Sequence, residues 1–141
     1  MNQSAARAAA KYPKQEEPPP GRRPKALVVA TGLMAAVFLL CVAVQYNDPD
    51  PIWWMAIYGL AAAACILYLA RRLPPALSAG IGIVALIWAA RLAPAVIGQV
   101  SPSEIFASIE MKSAAVEVAR EMGGLLIVAC WMAVLTAARR K

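Results

Sequence analysis

With 141 residues, 61% of them apolar and only 16% charged, the chain is too apolar for an ordinary soluble domain and suits a small bundle of membrane spans. Its formal charge of +6 lies in short basic clusters at the ends of apolar runs, with no basic face interleaved with aromatics, which argues against nucleic acid as a partner and fits the flanks of membrane spans. There is no His, and Cys41, Cys65 and Cys130 fall in separate apolar runs without C-x-x-C spacing, so no metal site, cofactor or disulfide is expected.

Residues 1–25 are rich in Ala, Pro, Gln, Glu and basic residues and include Pro18-Pro19-Pro20-Gly21. Such a segment cannot bury enough apolar surface to offset its conformational entropy, so it is predicted to be a disordered basic tail preceding one membrane domain, 26–141. The first apolar run, 26–44, is of span length rather than signal-peptide length and leads into a polar turn without a small-x-small cleavage site. Within it, Thr31/Ala35 and Gly32/Ala36 are two pairs at small-xxx-small spacing, which lets a neighbouring backbone approach closely, although plain alanine richness gives the same pattern.

The turn that follows, Gln45 to Trp54, crowds two carboxylates, two prolines, amide side chains and three aromatics into ten residues. Asp50 is placed to cap the second helix, with Pro51 at its first position. That second run, 52–70, makes about 28 Å of helix at about 1.5 Å per residue, close to the thickness of a bilayer core. Trp53 and Trp54 at its start are expected in the interfacial aromatic belt, and Arg71 and Arg72 stop it.

Pro74-Pro75 turns the chain into a third run, 76–98, which contains Arg91 and Pro94. Pro94 cannot donate to the carbonyl of Ala90, so the helix should loosen there. A mid-span Arg costs about 2.5–3.5 kcal/mol on insertion scales, so Arg91 needs a carboxylate, for which Glu121 or else Glu117 is the expected partner, or a route to water. Ser101-Pro102-Ser103-Glu104 reads as a capped helix start, followed to about 111 by an amphipathic stretch with Ile105, Phe106 and Ile109 on one face, suited to the membrane surface. The fourth run, 122–138, is only about 25 Å long. To cross a core of about 30 Å it must begin roughly a turn earlier, drawing Glu121 below the headgroups, and Glu117 as well if it begins earlier still. Trp88 and Trp131 read as packing residues, and Gly80, Gly82, Gly123 and Gly124 as points of close helix contact.

Four spans put the tail (six basic residues), the second connection (two) and the C-terminal cluster (three) on one side, eleven of fourteen, and six of eight acids on the other. The basic side is therefore expected to be cytoplasmic, with both termini inside a bacterial inner membrane. On the outer side Gln45, Asn47, Asp48, Asp50, Glu117 and Glu121 are expected to gather around Arg91 and Arg120. Three uses stay open for them: mutual charge satisfaction around a tight turn, a hard-cation site of carboxylate and amide oxygens, or an anionic ligand held by the two arginines.

Two stretches carry a resemblance. Gly32-Leu33-Met34-Ala35-Ala36 followed by Val44-Gln45-Tyr46-Asn47-Asp48-Pro49-Asp50-Pro51, and later Ala119-Arg120-Glu121-Met122-Gly123-Gly124-Leu125-Leu126-Ile127, resemble the transmembrane protein 220 family. The resemblance implies an all-α, multi-pass membrane protein without an assigned activity. No acid-base constellation is visible, so an enzyme is not expected. The expected role is a non-enzymatic small subunit or assembly partner in a membrane complex, meeting the lipid bilayer and either a membrane-protein partner or further copies of itself. The alternative is a small transporter or channel with a charged outer mouth and Arg91 on its path.

Overall fold

The computed structural model describes residues 23–48, 50–101, 103 and 114–139. The expected tail up to residue 22 and the amphipathic surface helix expected over 104–111 lie outside them. Four helices, α1 (Lys25–Val44), α2 (Pro51–Leu69), α3 (Pro75–Val96) and α4 (Ala114–Arg139), are each long and apolar enough to cross a membrane. A single 3-10 turn, Gln45–Asn47, follows α1, and the described residues hold no strand. The all-α fold expected from the apolar runs is therefore the fold observed.

The boundaries follow from local chemistry. Pro51 and Pro75 occupy first-turn positions of α2 and α3, where a missing N–H costs nothing because that group would lack an intrahelical partner. Asp50 stands at the N-cap of α2 as expected, but its side chain is exposed and makes no capping hydrogen bond, the backbone there turning at φ −121°, ψ 57°. At the other end of α2 the chain closes a Schellman motif, with Arg72 N–H donating to the Leu67 carbonyl at 2.8 Å and Arg71 N–H to that of Tyr68 at 3.1 Å. The left-handed position of this motif is held by Arg71, at φ 63°, where glycine is usual. α3 runs through Pro94 for two further residues before Gly98, at φ 77°, ends it.

α4 has 26 residues, about 39 Å of helix, and takes in Glu117, Arg120 and Glu121 in its first two turns. It therefore begins well before the apolar run at 122 that marks it in the sequence.

Packing divides the bundle into two hairpins. α3 and α4 make the broadest contact and α1 with α2 the next; α2 touches both α3 and α4, whereas among the described helices α1 packs on α2 alone. α2 buries one face in register, Trp54, Tyr58, Ala61, Cys65 and Tyr68, at the i, i+4, i+7 spacing of a helical stripe. Against it α1 sets Thr31, Ala35 and Phe38. Small residues bring α3 and α4 close: a Cβ at Gly82 would lie 3.1 Å from the Met132 Cβ. Deep in that seam the Ser78 and Thr136 hydroxyls lie 2.8 Å apart, one donating to the other, and each is also within hydrogen-bond distance of a carbonyl of its own helix, Pro75 O at 3.2 Å from Ser78 and Met132 O at 2.7 Å from Thr136, to which the accepting hydroxyl donates. Two contacts tie the end of the bundle where α1 begins. Arg23 stacks on the Tyr68 ring, its guanidinium carbon 4.6 Å from the centroid, and hydrogen-bonds the Tyr68 carbonyl. Arg139 Nε donates to the Leu73 carbonyl at 3.0 Å, over a connection anchored by the fully buried Leu73 side chain.

Large apolar side chains cover the outside, Val29, Leu33, Leu40, Ile83 and Leu86 among them, each more than half exposed. In water so continuous an apolar surface would aggregate; against lipid it is the surface a membrane protein requires.

Candidate functional site

At the end of the bundle opposite Arg23, the turn after α1 packs on α1 and α2 and faces the first turns of α4 across a cavity. Gln45 and Asp48 reach in from the turn, Tyr58 from α2, and Glu117, Arg120 and Glu121 from α4, and together they line a cavity of about 170 Å³. Glu117 and Glu121 share a face of α4 because four residues make about one helical turn, and Arg120 stands one position from that line. Three carboxylates thus converge with one guanidinium, beside an amide and a phenol.

Five of the eight residues expected in the outer cluster, Gln45, Asp48, Glu117, Arg120 and Glu121, are brought together here. Asn47 and Asp50 belong to the same turn but are exposed and do not line the cavity. Arg91 does not join it either, and its expected pairing with Glu121 or Glu117 gives way to exposure on the outer side of α3. The reason is angular. The buried face of α3 carries Ser78, Ile81, Ala85 and Ala89, and at about 100° per residue Arg91 lies about 200° round from Ala89.

The aromatic belt is likewise half as wide as expected. Trp53 is 68% exposed and suits the interface. Trp54 is buried, and its ring stacks on Trp88 at 4.7 Å between centroids, because position 54 is in register with the buried stripe of α2 and position 53 is turned about 100° away.

Tyr58 is the residue that sequence reasoning missed. It is only 6% exposed and is held between Phe38 and Trp54 at centroid distances of 6.5 and 6.3 Å. Gly124 makes its place possible: a Cβ built there would overlap the hydroxyl and stand 3.3 Å from the ring carbon that bears it. The available signal was a tyrosine four residues after Trp54 in an apolar run, with a Gly-Gly pair just after Glu121 in the fourth. Among the described residues, no three His, Cys, Asp or Glu side chains are grouped closely enough to hold a metal ion.

No curated protein and no solved structure matches the chain. The family whose sequence model matches is described as Transmembrane family 220, helix, and the match covers residues 37–137, from the middle of α1 to near the end of α4.

Proposed function

We propose, from the premise that the chain belongs to transmembrane family 220 and is an integral membrane protein, that it serves as a non-enzymatic small subunit or assembly partner within the membrane. The observation that carries this reading is the isolation of α1. One small-xxx-small pair, Thr31/Ala35, is consumed by packing on α2, while the other, Gly32/Ala36, looks outward, and a Cβ at Gly32 would meet nothing within 4 Å. Flanked by the exposed Val29, Leu33 and Leu40, that strip gives a partner helix a place to approach closely. We place the protein in a bacterial inner membrane with both termini cytoplasmic, on the strength of the basic-residue asymmetry.

A transporter or channel, the rival reading, needs an intramembrane charge on an aqueous path. With Arg91 outside the cavity, a path would have to be built from more than one copy.

The test is disulfide trapping in native membranes. A single Cys at Gly32, in a background whose three native cysteines are Ser or Ala, is expected to cross-link to a protein identifiable by mass spectrometry or to a second copy, whereas a Cys at Val84 on the exposed face of α3 gives no such adduct. Equal, non-selective trapping from both positions overturns α1 as the docking helix.

A further inference from the structure

We infer that the groove between α3 and α4 at the basic end of the bundle is a binding site for an anionic phospholipid, with an acyl chain lying along its small residues and the phosphate held by Arg71, Arg72 and Arg139. The inference goes beyond the assembly role and does not depend on it, since the groove and the outward strip of α1 use different residues.

The groove has a volume of about 510 Å³ and runs from Ser78 to Leu86 on α3 and from Ala137 back to Ala129 on α4. That is a length of about 12 Å on each helix, starting at the end where α3 begins and α4 finishes. Gly82, Ala129 and Ala133 hollow it out, and the exposed Ile83 and Leu86 mark its opening toward lipid. Ser78 and Thr136 alone among its lining residues carry polar side chains, and they satisfy each other. Of their two hydroxyl protons, one lies between the hydroxyls and the other goes to a carbonyl of the same helix as its donor. No side-chain donor is left for a ligand inside the groove, so what fills it is hydrocarbon.

The mouth determines which hydrocarbon-bearing molecule fits. Arg139 lies one turn beyond Thr136 on the same face of α4, and the bond from its Nε to the Leu73 carbonyl holds its guanidinium over the connection that carries the exposed Arg71 and Arg72. The acids among the described residues, Asp48, Asp50, Glu117 and Glu121, all stand at the opposite end, so no carboxylate among the described residues neutralises these three cations. A phosphate at the membrane surface does, and guanidinium forks match its oxygens in pairs. A basic pocket between spans at headgroup level is the arrangement that takes up anionic lipid headgroups. A second copy of the chain is the poorer occupant: copies inserted in the same sense bring like ends together, and arginines would then face arginines.

The full chain, purified and stripped of lipid in a non-ionic detergent, is titrated with phosphatidylglycerol and with phosphatidylcholine of the same acyl chains, while native mass spectrometry counts bound lipids and thermal unfolding is followed. A saturable adduct of one phosphatidylglycerol with a raised midpoint is expected, at a concentration at least about fivefold below that needed for phosphatidylcholine. Arg71→Gln and Arg72→Gln, both at exposed positions, should weaken the response to phosphatidylglycerol about fivefold for each charge removed and leave that to phosphatidylcholine in place. Ala133→Leu, which fills the groove from an exposed position, should abolish the adduct, whereas Ala90→Leu, exposed on α3 away from the groove, should not. Equal responses to the two lipids overturn the assignment. So does a phosphatidylglycerol adduct that survives Ala133→Leu, which would mean that the arginines bind headgroups without the groove, and so does a dimer or a copurified protein that Ala133→Leu removes, which would give the groove to a helix.

Discussion

Tyr58 and Gly124 form a matched pair across the α2–α4 contact, and a substitution cycle measures the match. Gly124→Ala is expected to destabilise by about 1–3 kcal/mol, because the new methyl meets a phenol that Phe38 and Trp54 hold in place. Gly123→Ala, whose Cβ would meet nothing within 4 Å, should cost nothing measurable. Adding Tyr58→Phe to Gly124→Ala should recover much of the loss, since the worst overlap is with the hydroxyl itself; thermal unfolding in detergent reads all three, and strict additivity would show that the two residues do not share the space. At this scale the sequence was an uneven guide. Chemical type and approximate depth identified Gln45, Asp48, Glu117, Arg120 and Glu121 as members of one outer cluster. Side-chain direction did not follow, because Arg91 and Trp54 were each placed by depth alone, and one or two residues of helical rotation decide whether a side chain meets the bundle or the lipid.

The helices themselves were legible wherever an apolar run ended in proline or arginine. α1, α2 and the start of α3 fall within a residue of their expected limits, since Pro51 and Pro75 fix the entries and the Arg71-Arg72 pair an exit. The beginning of α4 was legible in part: the shortness of its apolar run required a start roughly a turn before 122 that takes in Glu121, and the helix reaches about a further turn back, to Ala114, because charged residues that sit comfortably in the first turns of a helix look like a loop when only hydropathy is followed. The exit from α2 offers a direct test of local strain. A left-handed non-glycine residue costs about 1–2 kcal/mol, and glycine gives back part of that through the entropy it loses on folding, so Arg71→Gly should raise stability by about 0.5–1 kcal/mol. Arg72→Gly, on ordinary backbone one residue later, should not. A higher unfolding midpoint for the second variant than the first would remove the strain argument.

For the molecule as a whole, the number of spans followed from the sequence while their arrangement did not. Nothing in four apolar runs says that among the described helices α1 touches only α2, or that α2 alone bridges the two hairpins; those relations depend on which small residues meet, as Gly82 does Met132 and Gly124 does Tyr58. The orientation we propose makes a sharp forecast. In a cysteine-free background, single cysteines at Arg72 and Gln15 should resist a membrane-impermeant thiol reagent in intact cells, and those at Asp50 and Ser103 should react. Efficient labelling at Arg72 from outside would reverse the orientation, and labelling of both Arg72 and Asp50 would break the four-span arrangement.

The contact between Arg139 and Leu73 has a consequence in time as well as in space. Translation delivers α1 and α2 to the membrane as a self-contained hairpin, yet the connection that follows them is held by a hydrogen bond from the far end of α4, sixty-six residues later. Until that end of α4 has emerged, the Leu73 carbonyl depends on water for its partner, and the hairpin waits half-latched at the membrane face. The bond therefore cannot form before the last turn of α4 has been made, whatever the order in which the rest of the bundle packs.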